Sequence, residues 1–479
     1  MERGVSAWEA VIGLEVHAQL LTRTKLFCGC STEFGRPPNS NVCAVCLGLP
    51  GSLPVMNRAA LALAVRTALA LGCNVEKKSI FARKNYFYPD LPKGYQISQY
   101  EEPFSTHGLL EVELEGRAPR RVRIRRVHLE EDAGKNLHGV GSDSLVDLNR
   151  AGVPLVEIVS EPDLGSSSEA SAYLKMLRDI LVFAAVNDGN LEEGSFRCDA
   201  NVSIRPRGAQ ELGTRAELKN LNSFRFVQRA IDAEISRQIR LVESGGVVEQ
   251  ETRSFDPDTG MTATLRSKED AHDYRYFPEP DLPPLVIDDA LIAEERSKLA
   301  ELPASLRRRW VTELGLPPPI AATLSSHPAT ARFFEDARAR FNHPLKVANW
   351  IVTEVLRSAR LHGISGEFAV SPAQVGELLE LVESGAISGK QAKEVHAAIE
   401  GTKKSPRAVV EERGLRVDRD AGSLEPVCRK LIEEHPKQAA AVRGGKKTVL
   451  GFFVGKVMQQ TGGSADPKLV SELLEKLLA

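Results

Sequence analysis

The chain has 479 residues, of which 42% are hydrophobic and 26% are charged, with 62 Lys and Arg residues against 64 Asp and Glu residues. This composition is typical of a globular protein and excludes a disordered, collagenous or fibrous chain. The longest apolar runs, at 59–65 and 180–186, are far shorter than the roughly 20 residues that cross a bilayer. The first residues contain no apolar segment of signal-peptide length, so we expect a cytoplasmic protein with no membrane partner.

In chain order, the residues up to about 290 alternate between strand and helix patterns. Between residues 11 and 21, apolar residues alternate with Glu15, His17 and Gln19, which predicts a strand with these polar side chains on one face. The same reasoning predicts further strands at 109–115, 121–129, 197–205 and 214–220, and a hairpin around 256–260. Capping and stop signals predict helices at 57–73, 166–186 and 224–244.

A proline-rich stretch at 278–284 separates this body from a remainder in which helical periodicity dominates. The basic segment 403–407 is predicted to be a linker, and short helices follow it. We therefore expect an α+β protein of about three domains. Their predicted bounds are 1–290 for the mixed body, 291–402 for an all-α domain and 403–479 for a small all-α tail.

Charge is unevenly distributed along the chain. Residues 403–479 contain 15 basic and 10 acidic residues, so the tail is basic and the remainder of the chain is acidic. A basic module attached to an acidic body is typical of a protein with a polyanionic partner. Solvated faces often show similar imbalances, so the surplus is weak evidence by itself.

Four of the seven cysteines are clustered at Cys28, Cys30, Cys43 and Cys46. Two close pairs on separate knuckles can place four thiolates around one zinc ion at about 2.3 Å. Because the protein would then fill every ligand position, we predict a structural zinc site. The alternative is four unrelated buried cysteines. The other cysteines are isolated and indicate no catalytic thiol.

Carboxylates and basic residues gather on the strand faces that the patterns leave unburied. Glu15 and His17 share one face, and 128–135 is dense in charge around a predicted turn. Glu157 is the only charged residue of the apolar run 154–159, and a buried carboxylate needs a cation. For any one residue, a solvated face or a structural ion pair is the better interpretation. For the whole set, a magnesium-dependent phosphoryl-transfer site becomes competitive.

Several catalytic motifs are absent from the sequence. It contains no P-loop, protein-kinase motif set, G-x-G-x-x-G after a strand, H-E-x-x-H or G-x-S-x-G. If the protein uses ATP, the nucleotide is therefore not held by a P-loop. The chain also offers no recognisable nucleophile for the cleavage of an amide or ester.

The segment LVDLNRAGVPLVEIVSEPD at 145–163 closely resembles the signature of the GatB family, the B subunits of the tRNA-dependent amidotransferases. Other segments agree with this family in order and spacing: GLEVHAQL at 13–20, the four cysteines, KNYFYPDLPKGYQISQ at 84–99, HLEEDAGK at 128–135, RCDANVSI at 197–204, ELKNLNSF at 217–224 and DYRYFPEP at 273–280. VLGFFVGKVM at 449–458 is similar to the helical tail of the YqeY group. The resemblance covers nearly the whole chain.

The resemblance implies a heterotrimer in which the partners are an amidase (glutaminase) and a small bracing protein. Members of the GatB family bind mischarged Glu-tRNA(Gln) or Asp-tRNA(Asn) and use Mg-ATP to phosphorylate the free side-chain carboxylate. Ammonia that the amidase releases from glutamine then displaces the phosphate, which leaves Gln-tRNA(Gln) or Asn-tRNA(Asn). The implied fold of the body is an antiparallel sheet of the glutamine-synthetase type. The missing nucleophile would belong to the amidase partner.

The resemblance also assigns roles to individual residues. Glu15, His17 and Glu157 match positions at the metal and ATP site, and one or both of Glu130 and Glu131 would join them as magnesium ligands. Further expected site residues are Asp199 as a ligand or orienting carboxylate, Lys84 as a cation for phosphate charge, and Arg205 and Lys219 as nucleotide-binding residues or, equally, structural ion pairs. The four cysteines match members with a zinc knuckle.

The basic tail suits contacts to RNA phosphate groups, and the expected residues are Arg443, Lys446, Lys447 and Lys456. The apolar tail residues, among them Phe452 and Phe453, are predicted to form its core. A noncatalytic, zinc-containing tRNA-binding scaffold is the alternative to the enzyme. The sequence leaves open which mischarged tRNA is the substrate, how many metal ions bind and which residues conduct ammonia.

Overall fold

The computed structural model describes residues 7–114, 116–140, 143–266, 273–415, 420–444, 446–461 and 465–478. The chain divides into two compact units, Met1–Pro303 and Ala304–Ala479. The first unit combines strands with helices and the second is mainly helical, which confirms the predicted α+β class. Within the described residues, no helix has both the length and the apolar character that a membrane span requires.

A large twisted sheet organises the first unit. The described strands of this unit are β1 (Trp8–Gln19), β2 (Asn74–Val75), β3 (Lys78–Ser79), β4 (Ala82–Asn85), β5 (Tyr95–Ser98), β6 (Ser105–Val112), β7 (Arg120–Glu131), β8 (Lys135–Val140), β9 (Asp143–Asp147), β10 (Pro154–Ser160), β11 (Phe196–Pro206), β12 (Ala216–Lys219), β13 (Thr252–Asp256), β14 (Met261–Arg266), β15 (Phe277–Pro278) and β16 (Leu285–Val286). Nine of these described strands form the large sheet in the order β14-β13-β12-β11-β1-β10-β7-β6-β2, and every neighbouring pair is antiparallel except β12 and β13.

Helices cover one face of this sheet. The helices of the first unit are α1 (Arg58–Ala70), α2 (Ser167–Phe183), α3 (Phe224–Glu243) and α4 (Asp289–Ser297). The first three match the predicted helices, and the side chains of Asn57, Ser166 and Ser223 accept hydrogen bonds from the first-turn amides as N-caps. Their apolar residues join those of the strands in one buried core.

The alternation in β1 decides which residues face this core. Leu14 and Val16 are buried in it, so Glu15 and His17 project from the opposite face of the sheet. The charged run at 128–135 differs from the prediction, because β7 continues as a strand through Glu131 before the chain turns. Half of that run therefore belongs to the sheet.

The second unit is built from helices and one small hairpin. Its helices are α5 (Pro303–Thr312), α6 (Pro318–Leu324), α7 (Pro328–Arg340), α8 (Pro344–Thr353), α9 (Pro372–Glu383), α10 (Gly389–Ile399), α11 (Pro406–Arg413), α12 (Ala421–Glu434), α13 (Pro436–Arg443), α14 (Leu450–Gln460) and α15 (Pro467–Leu478). The strands β17 (Arg360–His362) and β18 (Ser365–Glu367) form the hairpin, and 3₁₀ turns occupy Val355–Arg357 and Lys447–Val449.

Two details of this unit correct the predictions. The segment 403–407 is not simply a linker, because Ser405 caps α11 and Pro406 starts it, and α11 packs against α9 and α10. In the tail, Phe453 is fully buried, but its neighbour Phe452 is 37% exposed. Adjacent helical residues point about 100° apart, so the two rings cannot share one buried face.

The tail helices α12–α15 have an apolar core of their own, to which Leu424, Cys428, Phe453 and Leu474 contribute. The division of the whole chain into three domains stays a prediction.

Candidate active site and metal centres

The central strands of the sheet bring three predicted site residues together. In the antiparallel register His17 of β1 lies opposite Glu157 of β10, and Glu157 lies opposite His128 of β7. Directly opposed residues project from the same face, so these side chains form a row across three strands. Glu130, two residues after His128, extends the row along β7.

Each of the two imidazoles lies within contact distance of both carboxylates. Nε2 of His17 lies 3.4 Å from Oε2 of Glu157 and 3.7 Å from Oε1 of Glu130. Nε2 of His128 lies 3.3 Å from Oε2 of Glu157 and 3.4 Å from Oε2 of Glu130. His128, Glu130 and Glu157 are buried, and one ligand atom from each of His17, Glu130 and Glu157 lies within 4.8 Å of the others. We call these four residues the carboxylate–histidine cluster.

Charge pairing sustains two buried carboxylates here. Burial opposes ionisation of Glu157, but the charge and hydrogen bond of His128 hold the pKa of Glu157 well below its ordinary value. Burial also opposes protonation of His128. The charges and hydrogen bonds of Glu157 and Glu130 outweigh the effect of burial and raise the pKa of His128 to about 9. In this cluster two imidazoles thus lie against two carboxylates. A divalent cation would take over this neutralising role, because metal ligands bind deprotonated.

The donor set fits a metal ion with open coordination positions. Two carboxylates are the oxygen ligands that Mg²⁺ prefers, and His17 supplies one nitrogen. Three protein ligands leave sites for water or phosphate oxygens. His128 was not predicted as a site residue. Its Nε2 contacts Oε2 of both carboxylates, and its alternation with Glu130 in the strand pattern is the signal that could have identified it.

A second row of charged residues lies beside the cluster. Glu15 lies opposite Asp199 of β11, and Nζ of Lys219 donates a hydrogen bond of 2.6 Å to Asp199 and lies 3.0 Å from Glu217. Burial, followed by the charges of Glu157, Glu217 and Asp199, raises the pKa of Glu15. Glu217 was not predicted as a site residue, although it alternates with Lys219 inside a family segment. These carboxylates and one lysine can hold further cations and nucleotide phosphates.

Lys84 forms a wall of the site together with aromatic residues. Its Nζ lies 4.9 Å from the centre of the Tyr274 ring and 6.0 Å from that of Tyr86. Burial disfavours its charge, but Glu130, Tyr276 and Glu157 raise the pKa of Lys84 above its ordinary value. The ammonium is therefore within electrostatic range of Glu130 and Glu157 in the carboxylate–histidine cluster. The tyrosines come from two family segments and were not predicted as site residues.

Two predicted residues are not brought to the cluster. Glu131 projects from the other face of β7, where it pairs with Lys93 and accepts a hydrogen bond of 2.9 Å from the amide of Ile97. Arg205 lies on the correct face of β11, but six residues from Asp199, which is about 20 Å along a strand. There it donates a hydrogen bond to Glu9. The placement of Arg205 corresponds to the structural ion pair and not to a nucleotide contact.

The four clustered cysteines form a second candidate metal centre. The Sγ atoms of Cys28, Cys30, Cys43 and Cys46 all lie within 4.8 Å of one another, and none forms a disulfide. A tetrahedral zinc site with bonds of about 2.3 Å places its sulfur atoms roughly 3.8 Å apart, so the set fits zinc. A hydrogen bond from Cys28 lowers the pKa of Cys46. The hydrogen bond from the Cys43 amide and the charge of Lys25 lower this pKa too, so that it falls to about 4.

The predicted RNA-binding residues of the tail lie on or between α13 and α14. Arg443 ends α13, Lys446 follows it, and both are exposed. Lys456 is half-buried on α14, with its Nζ 6.0 Å from the centre of the Phe452 ring. The side chain of Lys447 lies outside the described residues.

Comparison with known proteins identifies the class to which this site belongs. The GatB/GatE catalytic domain matches residues 10–293, and the GatB domain of the GatB_Yqey family matches residues 332–478. The carboxylate–histidine cluster and the four cysteines thus all lie within the catalytic-domain match.

Relatives of similar length are named as the B subunit of aspartyl/glutamyl-tRNA(Asn/Gln) amidotransferase. The relative from Anaeromyxobacter sp. (strain Fw109-5) is 52% identical over 99% of both chains. The relative from Geobacter sp. (strain M21) is 52% identical over 98% of this chain and 99% of its own length. The relative from Nitratidesulfovibrio vulgaris (strain DP4) is 52% identical over 99% of this chain and 100% of its own length. The chain belongs to the GatB family, as its motifs predicted.

Proposed function

We propose that this chain phosphorylates the side-chain carboxylate of mischarged Glu-tRNA(Gln), Asp-tRNA(Asn) or both with ATP, and then amidates the product with ammonia. The observation that carries the proposal is the convergence of His17, Glu130 and Glu157 on one sheet face with Lys84 beside them. Phosphoryl transfer needs this combination of metal ligands and a fixed cation, because catalysis is mainly positioning and charge stabilisation.

Atoms and charge balance in both steps. A carboxylate oxygen of the aminoacyl group bonds to the γ-phosphorus of ATP while the bond from that phosphorus to the ADP oxygen breaks. Ammonia then forms a C–N bond to the activated carbon, inorganic phosphate leaves, and the nitrogen loses one proton. No step needs a nucleophile from this chain.

The chain's own residues hold and orient the reactants. His17, Glu130 and Glu157 would hold Mg²⁺, which when bound neutralises charge on the phosphate oxygens. His128 orients both carboxylates through its Nε2 contacts. Lys84 would bind the transferring phosphoryl group, and Lys219, with Glu15 and Asp199, would hold the rest of the nucleotide.

The proposal extends to zinc, partners and location. The four-cysteine site would hold a structural Zn²⁺. An amidase (glutaminase) partner would supply the ammonia, with a small bracing protein as the third member of the complex. The exposed Arg443 and Lys446 of the tail would contact tRNA(Gln) or tRNA(Asn) phosphates, and the reaction would take place in the cytoplasm.

The test is Glu157→Gln in the complex with both partner proteins. The substitution removes one ligand charge at nearly constant shape, so we expect amidation and tRNA-dependent ATP hydrolysis to fall by about 10²-fold or more. The affinity for tRNA should stay within about twofold. Glu161→Gln is the matched control, because Glu161 follows the same strand but pairs with Arg125 outside the cluster.

Full activity of Glu157→Gln contradicts the assignment of the site. The scaffold alternative makes a different prediction, since a noncatalytic protein gives no tRNA-dependent ATP turnover in the wild-type complex either.

A further inference from the structure

Lys25 is fully buried beside the four-cysteine site. Its Nζ lies 3.6 Å from Sγ of Cys46 and 3.4 Å from the carbonyl oxygen of Leu148. Its backbone amide donates a hydrogen bond of 2.9 Å to the carbonyl of Cys30. Lys25 thus contacts both cysteine pairs and the loop that precedes β10.

This lysine lacks the usual partner of a buried cation. Among the described residues, Lys25 forms no ion pair with a carboxylate. Transfer of an ammonium group from water into the interior is costly unless an opposite charge compensates it. Lys25 lines a small cavity together with Glu131, but Glu131 is already paired with Lys93.

A zinc ion with four thiolates supplies the missing negative charge. Four Cys thiolates around Zn²⁺ leave a net charge of about −2 on the centre, and Nζ of lysine carries three N–H donors. Sulfur ligands accept such hydrogen bonds, and the amide of Cys43 already donates one of 3.1 Å to Cys46. The ammonium of Lys25 adds a charged donor to the same sulfur.

We propose that Lys25 is a positioning residue of the zinc site, which holds the Cys46 thiolate by an N–H···S hydrogen bond and ties it to the Leu148 carbonyl. This inference rests on the zinc part of the proposed function. It also connects the metal centre to the active site, because the loop containing Leu148 leads directly into the strand of Glu157.

The experiment measures zinc release from the full-length, zinc-loaded chain to a chromogenic chelator. We expect Lys25→Met to release zinc about 10-fold faster than the wild type, the lower end of the effect of losing a hydrogen bond to a metal ligand. Lys93→Met is the matched control, because Lys93 lines the same cavity but pairs with Glu131 and not with sulfur. Equal acceleration by both variants overturns the specific role of Lys25.

Two further substitutions separate hydrogen bonding from packing. If Lys25 acts as a hydrogen-bond donor, zinc release should be slowest from Lys25→Arg, faster from Lys25→Gln and fastest from Lys25→Met. The reason is that Arg keeps the charge and the donors, whereas Gln keeps a neutral donor. If Lys25 only fills space, zinc release should be fastest from Lys25→Arg, because Arg is bulkier, and unchanged in Lys25→Met. That result contradicts the proposal. The Co²⁺-substituted chain gives a second readout, since loss of the N–H···S bond should shift its thiolate-to-metal absorption band.

Failure of the two proposals can be told apart. A wild-type chain that binds no zinc overturns the zinc site, and the role of Lys25 with it. A wild-type chain that binds one zinc but shows the same release rate as Lys25→Met overturns only the role of Lys25.

Discussion

The two candidate metal centres of this chain are built in opposite ways. The carboxylate–histidine cluster draws its residues from three strands that are far apart in sequence, and its donors are oxygen and nitrogen. The four cysteines lie between residues 28 and 46, outside the large sheet, and all donors are sulfur. Three ligands leave a metal open to substrate, whereas four ligands close it. The open ligand set suits the proposed reaction, and the closed set suits a structural site.

The largest expected effect on Mg²⁺ binding distinguishes two adjacent residues of β7. Glu130→Gln removes a carboxylate of the cluster, so we expect the apparent affinity for Mg²⁺ in tRNA-dependent ATP hydrolysis to fall by about 10- to 100-fold. Glu131→Gln is the matched change one residue away, on the opposite face. Titration of the assembled complex with Mg²⁺ should show a shifted midpoint for Glu130→Gln alone. A shift of equal size in Glu131→Gln would mean that the metal lies elsewhere.

The second prediction concerns the closed centre. Cys43→Ser should abolish zinc binding and destabilise the first unit by about 3 kcal/mol, which lowers its Tm by roughly 6–12 °C. Metal analysis and thermal unfolding of the full chain measure both quantities. Cys73→Ala is the control, because Cys73 is buried and does not belong to the four-cysteine site, so its loss should leave the zinc content unchanged. A Cys43→Ser chain with wild-type zinc content would contradict the four-ligand site.

The smallest effect concerns Asp132, the residue that follows β7. Asp132 accepts hydrogen bonds of 2.9 Å from Arg197 and 2.8 Å from Gln19, and its backbone carbonyl accepts one from Gly152. Burial raises the pKa of this carboxyl, but the charges of Arg197 and Arg150 outweigh burial and lower it. Asp132→Asn should therefore destabilise the fold by about 2 kcal/mol at neutral pH.

The pH dependence of this difference follows from the sign of the shift. A carboxyl with a lowered pKa contributes its full stability above its unfolded value, about 3.9, and loses it as the pH falls through the folded pKa. The gap in stability between the wild type and Asp132→Asn should be constant from about pH 6, which is roughly two units above the unfolded pKa, up to about pH 8. It should narrow below about pH 4. Denaturant unfolding across this range measures the gap, and widening at low pH would contradict the assignment.

Local patterns predicted the elements well. The alternation at Glu15 and His17, the N-cap at Ser166 and the cysteine spacing each depend on neighbouring residues, and the structure agrees with them. The same rule could have separated Glu130 from Glu131. Val127 and Leu129 face the core, so Glu131 shares their side of the strand while Glu130 shares that of His128.

Position along and between strands could not be predicted from local patterns. Arg205 has the correct face but the wrong distance along β11, because a period of two specifies a side and not a row. Tyr274 reaches Lys84 because β15 pairs with β4 across nearly two hundred residues. Such long-range pairings depend on the whole fold.

The position of β10 has a consequence for how the enzyme moves. All seven residues of this strand are buried, and β1 and β7 flank it on both sides. Separating the two imidazoles from Glu157 would require breaking the ladder at the middle of the sheet, so we expect this floor to stay rigid throughout a reaction cycle. Lys84 and its tyrosines instead lie on or beside the short strands β4 and β15. Any opening that admits the end of a tRNA and then shuts out water should therefore come from this wall.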